Sequence, residues 1–598
     1  MARPVLNVDI DSIRKRTYSD WAIIKRLLHY IRPFLLNFIP ITLFLLILVS
    51  LDLVGPLLLA DVLDTLGAES IDFMRIIWIT ILYLGIMCVN GFLSYKQTML
   101  LQGMGQKVIF NIRKDVFNHI ERFSISQYNK VPVGKLVTRV TSDTSTLNTM
   151  YTDVLVNLFR NSLTIIGVFV IMFIKNAELT LWISTVVPIV AIASVVFRKF
   201  TRRAYRNVRT QVSIINAFLS EHLSGMKLIQ IFNREPKKYD EFKEKSQRLW
   251  HYNFQQMTTF SIYRPFMYFL YVSALLITLW FGGQKAIAGI ITYGTLFAFT
   301  QYINKFFDPI QELAEQFDTM QAAFTSGERI FEIIDTVPAV LDTIEAKPIA
   351  LKGKIEFRNV WFAYNPDDWI LKDVSFVVQP GETVAFVGAT GSGKTTILSL
   401  IVRNYDIQKG QILIDDIDIK DITMGSLRAQ VGQMLQDVFL FSGTVESNIR
   451  LGDEAITDAQ IVDACRYVNA DRFIDRLANK YSELVRERGN NFSSGQRQLL
   501  SFARTIVHKP SIMILDEATA NIDTETEELI QESLAKMMNI GTMIIVAHRL
   551  STIQHVDKII VMAKGKIIEM GNHQKLLRDR GHYFTLYRLQ YDQKLENL

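Results

Sequence analysis

Two rhythms of hydrophobic and polar residues divide this chain of 598 residues. Up to about residue 334 the apolar residues come in long runs, whereas from Ile355 onward short β-branched and aromatic runs alternate with helical and glycine-rich segments. A helix that crosses the hydrocarbon core of a bilayer takes about 20 mainly apolar residues. Six stretches reach that length, at residues 34–53, 76–93, 154–174, 179–196, 262–281 and 291–307, the sixth being the least apolar. Ahead of them Ser19-Asp20 reads as a helix cap, and Ile23, Ile24, Leu27, Leu28 and Ile31 set against Lys25, Arg26 and Arg32 predict a short helix in the membrane interface.

The segments between these stretches alternate in kind. Those at 67–72, 175–178 and 282–289 are short and hold only Lys175 and Lys285 as basic residues. The two long ones are basic: one carries Lys107, Arg113, Lys114, Arg122, Lys130, Lys135 and Arg139, the other Arg198, Lys199, Arg202, Arg203, Arg206 and Arg209. Lys and Arg concentrate on the cytoplasmic side of spans, so both long loops and both termini are expected inside. Residues 213–232 keep a helical apolar spacing, which predicts spans that continue as helices into the cytoplasm. Their tips, near residues 127–134 and 221–225, are placed to contact a downstream domain. The polar residues in or near the spans (Asp52, Asn90, Asn157, Arg160, Asn161, Gln301, Asn304, Lys305 and Asp308) are costly at membrane depth and are expected to face a cavity, a partner side chain or water.

Pro338 and Pro348 end the helical regime, so residues 1–334 read as the membrane domain, 335–353 as a linker and 354–598 as a second domain. There Val384-Ala385-Phe386-Val387 predicts a buried strand that runs into Gly388-Ala389-Thr390-Gly391-Ser392-Gly393-Lys394-Thr395-Thr396. A strand, a glycine-rich loop and a helix start in that order form a phosphate cradle, because glycines let backbone N–H groups approach the anion and the helix dipole favours it. Lys394 reaches the β- and γ-phosphates, and Thr395 offers an oxygen to Mg²⁺. Ile512-Met513-Ile514-Leu515-Asp516-Glu517 is an apolar strand ending in two carboxylates: Asp516 suits the Mg²⁺ shell, and Glu517 suits orienting or deprotonating the attacking water.

Composition changes this picture little. A net charge of +6 is mild for the length and fits basic loops beside an anionic membrane surface rather than nucleic-acid binding. Cys88 and Cys465 are isolated and supply neither a disulfide framework nor a metal-ligand spacing. The polar, charged N-terminus lacks a secretory-type apolar core, so insertion through internal spans is expected, and no peptidase-like domain is read ahead of the first span.

Phe492-Ser493-Ser494-Gly495-Gln496, lying before Asp516-Glu517, resembles the signature motif of ATP-binding cassette (ABC) proteins, and the resemblance extends over nearly the whole chain. It implies a membrane all-α six-helix domain with long cytoplasmic helical extensions, followed by an α/β P-loop ABC ATPase domain. It further implies that Tyr364 stacks on adenine, that Gln436 senses Mg²⁺ and the attacking water, and that His548 contacts the γ-phosphate. By the same resemblance Asp523 lies at the interface between two ATPase domains, and Glu487 meets the membrane domain. Ser493, Ser494, Gly495 and Gln496 would close over ATP held by a facing subunit. One set of spans and one ATPase domain is the layout of an exporter half-transporter in a bacterial cytoplasmic membrane. Its cofactors would be ATP and Mg²⁺, its partners a second half-transporter subunit, the lipid bilayer and a hydrophobic or amphipathic substrate such as a drug or a lipid. A lipid flippase and an ATP-gated channel or regulator are the alternative readings.

The usual signature is Leu-Ser-Gly-Gly-Gln, from which Phe492 and Ser494 depart, and Ala520-Asn521-Ile522 departs from the common Ser-Ala-Leu. With Glu517 and His548 in place, this resembles the subunit of heterodimeric exporters that keeps its own catalytic glutamate and offers its partner an altered signature. A homodimer with a tolerated serine is the other reading.

Overall fold

The structure, a computed structural model, describes residues 18–68, 70–435, 437–516, 524–547 and 553–596. They fall into two compact units: Met1–Glu121 with Pro132–Val337, and Arg122–Val131 with Pro338–Leu598.

The first unit is built from long helices. Asp20–Ile31 begins at Ser19, whose Oγ accepts the Ala22 N–H at 3.2 Å, and buries Ile23, Leu27 and Ile31 at four-residue spacing. Trp21 and Leu28 stay exposed. The helix is tied to the end of the Tyr293–Asp335 helix: Arg26 donates to Asp335 Oδ1 at 2.6 Å, Tyr18 donates to Oδ2 at 2.5 Å, and the guanidinium lies 4.4 Å from the Phe331 ring centroid. Arg26 thereby holds the Asp335 carboxyl below its ordinary range.

Five helical runs among the described residues are long and apolar enough to cross a membrane: Asp20–Leu66, Phe73–Glu121, Val133–Lys175, Ala177–Ser224 and Glu235–Ile287. At 1.5 Å per residue a 49-residue helix such as Phe73–Glu121 is about 70 Å long, more than twice the thickness of a hydrocarbon core. Its first half exposes Phe73, Ile77, Trp78, Ile81 and Leu84, as a lipid-facing helix must, while its second half buries Val108, Ile112 and Val116. The sixth expected span lies in Tyr293–Asp335, which is helical but less apolar. Two of the residues responsible have partners in the fold. Lys305 bonds Asp52 at 2.8 Å, and the Tyr302 hydroxyl donates to the Leu53 carbonyl at 2.6 Å. Asn161 likewise donates to Glu312 at 2.9 Å, whereas Arg160, Asn304 and Asp308 are exposed. The core of this unit gathers Leu45, Val49, Val168, Ile183, Met267, Phe299 and Ile303 from five of these helices. The second long loop ends its first helix at Ser224 and turns through a short helix, Met226–Ile231, so its tip lies a few residues beyond the expected one.

In the second unit the strands are β1 (Ile355–Ala363), β2 (Trp369–Val378), β3 (Thr383–Val387), β4 (Lys409–Ile414), β5 (Ile417–Asp418), β6 (Val431–Met434), β7 (Gly443–Thr444), β8 (Leu484–Val485), β9 (Ile512–Asp516), β10 (Thr542–Val546), β11 (Lys558–Ala563) and β12 (Lys566–Gly571). A six-stranded sheet runs in the order β12-β11-β3-β10-β9-β6, parallel except at β12, beside a four-stranded antiparallel sheet in the order β2-β1-β4-β5. β3 and β10 are buried at every position, as strands of a parallel sheet covered on both faces are. One core lies between the sheets, with Phe357, Phe376, Val384 and Phe386; the other packs Leu515, Ile545 and Val561 against helices on the opposite face.

Residues 338–353 are bonded along this unit rather than left loose. Arg403 donates to the Leu341 carbonyl at 2.9 Å, Lys347 N–H to Asp421 at 2.9 Å and Leu351 N–H to Gln430 at 2.7 Å. Arg122–Val131 folds with the same unit. Its helix Ile125–Lys130 is closed by a capping box between Ser124 and Gln127, and Gln127 Oε1 also accepts the Ala339 N–H at 3.3 Å.

Candidate functional site

Parallel strands deliver their C-terminal ends to one edge of the sheet, and in open α/β folds ligands bind there. At that edge β3 runs into the loop 388–393, β6 ends at Met434, β9 ends at Asp516 and β10 ends at Val546. Gln436, Glu517 and His548 each come one or two residues after one of these strand ends in the sequence. All three, with Asp523, lie outside the described residues.

The loop is a cradle that side chains cannot enter. Gly388 has φ 150°, and a Cβ there would stand 2.2 Å from the Met562 carbonyl oxygen on β11. Gly393 has φ 105°, and its Cβ would meet Leu371 of β2 at 2.6 Å. Only glycine tolerates both the conformation and the approach. Thr390 and Gly391 form the exposed crest, and Ser392 turns inward, its buried Oγ without a hydrogen-bond partner among the described residues. The helix Lys394–Ile401 follows directly.

Lys394 is 6% exposed and folds back over the loop, donating to the carbonyls of Gly388 at 2.8 Å and Ala389 at 3.1 Å. Burial pulls its pKa down from the ordinary value, and the Asp516 carboxylate opposes that shift. A buried cation and an unsatisfied hydroxyl in a loop of backbone amides are suited to receive a polyanion. Thr395 is exposed on the first helical turn, while Thr396 is buried and shares a hydrogen bond of 3.2 Å with the Tyr364 hydroxyl. Tyr364 follows β1 and remains 44% exposed, with burial of the rest raising its pKa.

The signature segment opens the helix Ser494–Val507. Ser493 Oγ accepts the Gln496 N–H at 3.2 Å, and Gln496 Oε1 accepts the Ser493 N–H at 2.9 Å, a reciprocal cap that fixes the start of the helix. Ser494 is the first helical residue and Gly495 is buried. Phe492 points elsewhere: it is 5% exposed, in the core of the unit, with its ring 6.2 Å from that of Phe473. Its departure from the usual leucine is therefore a change of core packing, and Ser494 alone alters the exposed end of the motif. Glu487 lies exposed in the short turn Glu487–Gly489, which Gly489 closes with φ 70°.

Two features carry no motif. Arg504 leaves the signature helix to donate to the carbonyls of Asn448 at 2.8 Å and Phe439 at 3.1 Å, joining that helix to the segment that follows β6. Tyr405 packs edge-on against Tyr364 with centroids 5.1 Å apart and accepts a hydrogen bond from Asn129 at 3.1 Å. An aromatic residue after the phosphate-loop helix is the only trace of that cluster in the sequence.

Two family models match the chain: the ABC transporter transmembrane region over residues 38–310 and the ABC transporter model over residues 371–520. Among curated relatives, the Streptococcus pneumoniae protein named "Putative ABC transporter ATP-binding protein exp8" is 37% identical over 96% of this chain and 98% of its own length. The Bacillus subtilis protein named "Probable multidrug resistance ABC transporter ATP-binding/permease protein YheH" is 39% identical over 86% of this chain and 76% of its own. An ATP-dependent lipid A-core flippase of Syntrophus aciditrophicus is 34% identical over 95% and 94%.

Proposed function

The chain belongs to the ABC transporter family as an exporter half-transporter, and on that footing we propose that it drives hydrophobic or amphipathic small molecules out across the bacterial cytoplasmic membrane at the expense of ATP hydrolysis. The observation that carries this is the cradle of 388–393 with Lys394, facing the same sheet edge as Asp516, on one polypeptide with a unit of membrane-length helices.

In this reading Tyr364 takes the adenine, and the amides of the loop together with Ser392 take the phosphates. Lys394 exchanges its two loop carbonyls for the β- and γ-phosphates. The oxygens of Thr395 and Asp516 suit a hard divalent cation, with Gln436 as a further ligand. Mg²⁺ bound there neutralises phosphate charge. Glu517 orients or deprotonates the attacking water, and His548 holds the γ-phosphate. Ser493, Ser494, Gly495 and Gln496 serve the ATP on a facing subunit, with Asp523 at that interface and Glu487 toward the membrane helices. Two ATPs that bind the closed pair more tightly than the open one shift the membrane helices between inward- and outward-facing populations, by no more than that difference in affinity.

Proteoliposomes test the reading. ATP is expected to drive a hydrophobic dye into inside-out vesicles to several times its external concentration. Failure of ATP to move either a dye or a labelled lipid uphill would overturn export and favour a gated channel or regulator. A labelled lipid moved in preference to dyes would favour the flippase, the second reading that a 34% identical relative supports.

The pairing we favour is a heterodimer, on Ser494 and on Ala520-Asn521-Ile522, since Phe492 is a core residue. The intact complex from the native membrane is expected to contain this 68.7 kDa chain and a second, different subunit. A mass of twice 68.7 kDa would establish the homodimer instead.

A further inference from the structure

Tyr405 sits where two parts of the second unit meet. Its ring is one of three: Phe362, buried and fixed in β1, lies 4.9 Å from Tyr364 and 5.7 Å from Tyr405, and Tyr364 lies 5.1 Å from Tyr405 at 81°. Phe362 and Tyr405 thus both pack edge-on against Tyr364, which stays 44% exposed. On its other side Tyr405 accepts a hydrogen bond from Asn129 Nδ2 at 3.1 Å. Asn129 belongs to the last turn of the capped helix Ile125–Lys130, which folds with this unit. In the chain that segment is bracketed by the helices Phe73–Glu121 and Val133–Thr138 of the first unit, so a displacement of residues 122–131 is covalently continuous with both.

We propose that Tyr405 is a positioning residue: it sets the Tyr364 ring for the adenine base and passes occupancy of the base site to residues 122–131 through Asn129. The inference rests on the proposed reading of Tyr364 as the base-stacking residue and adds to it. Among the described residues, Tyr364 is held by its ring contacts with Phe362 and Tyr405 and by a hydroxyl bond to Thr396. A base stacked on its open face restricts the ring and presses its edge contact onto Tyr405. Tyr405 also packs edge-on against Phe362, and its hydroxyl is held by Asn129, so a shift of the Tyr364 ring is passed to that bond. Phosphates alone act on Lys394 and the loop and leave this route unused. The route therefore depends on the base rather than on the charge of the ligand.

Hydrogen exchange of the full-length protein in nanodiscs tests this with two probes, the non-hydrolysable analogue adenylyl imidodiphosphate and tripolyphosphate, which lacks the base. In the wild type both are expected to slow exchange at residues 388–396, and only the adenine nucleotide at 122–131. Tyr405→Phe, which keeps the ring and removes the hydroxyl, and Asn129→Ala are each expected to cut the nucleotide-induced protection of 122–131 about fivefold, the worth of one net hydrogen bond, with residues 388–396 unaffected. Undiminished protection of 122–131 in both variants, or the same protection from tripolyphosphate, would overturn the proposal. So would a loss of protection at both regions together, which would make these residues supports of the fold. A wild type protected at 388–396 by neither probe would instead count against the ATPase reading itself.

Discussion

Lys394→Ala is expected to weaken ATP binding about 100-fold or more, equivalent to about 2.7 kcal/mol, and to remove measurable turnover. The ammonium is nearly inaccessible and is the cation that lies across the mouth of the loop, on the carbonyls of Gly388 and Ala389. Hydrogen bonds from a charged group contribute about 1.5–3 kcal/mol each, and the triphosphate would lose at least one while its charge stayed unbalanced. Alanine fits the helix, so Lys394–Ile401 should persist and the thermal midpoint should move by only a few degrees. Equilibrium titration with labelled ATP measures the effect. An affinity within threefold of the wild type would remove Lys394 from the phosphate site.

Glu517→Gln is expected to separate binding from chemistry. Turnover should fall by about 10²–10⁴-fold, the range for loss of a positioned general base, with ATP affinity unchanged. Residues Ile512 to Leu515 are buried on both faces of β9, which makes the strand a rigid support that ends on Asp516; Glu517 follows directly in the sequence. Glutamine keeps the size and one acceptor oxygen but cannot take a proton from water. Turnover under saturating ATP, read beside the binding titration, checks both halves of the expectation. Turnover at the wild-type level would withdraw Glu517 from the mechanism. Lys394→Ala and Glu517→Gln should thus fail at different steps, the first before ATP is held and the second after.

The glycine-rich loop of residues 388–393 was legible as a turn between strand and helix because its conformation is written locally. Gly388 and Gly393 need positive φ and contact-free Cβ positions, and the order of strand, loop and helix leaves Lys394 few places to point. The membrane helices were legible for a similar reason: continuous apolar runs and the distribution of Lys and Arg are one-dimensional signals. Phe492 shows the limit. Its position in the motif suggested a change facing the partner's ATP, yet the side chain turns into the core beside Phe473, because direction within a turn depends on what packs behind it. Residues 338–353 show another. Pro338 and Pro348 marked the end of the helical regime, but the hydrogen bonds that tie the segment to Asp421, Gln430 and Arg403 are between residues far apart in the chain.

The sequence by itself determined the two regimes of the chain, the long apolar helices, the glycine-rich loop between strand and helix, the acidic strand end and the family they imply. Each of these is carried by residues close together in the chain, where spacing and backbone preference act directly. Only the tertiary structure decided which face of the signature segment is presented, that Lys305 answers Asp52, and that Asn129 meets Tyr405 across 276 residues of sequence. Such contacts arise when packing brings distant side chains to within a few ångströms, and no local pattern records them.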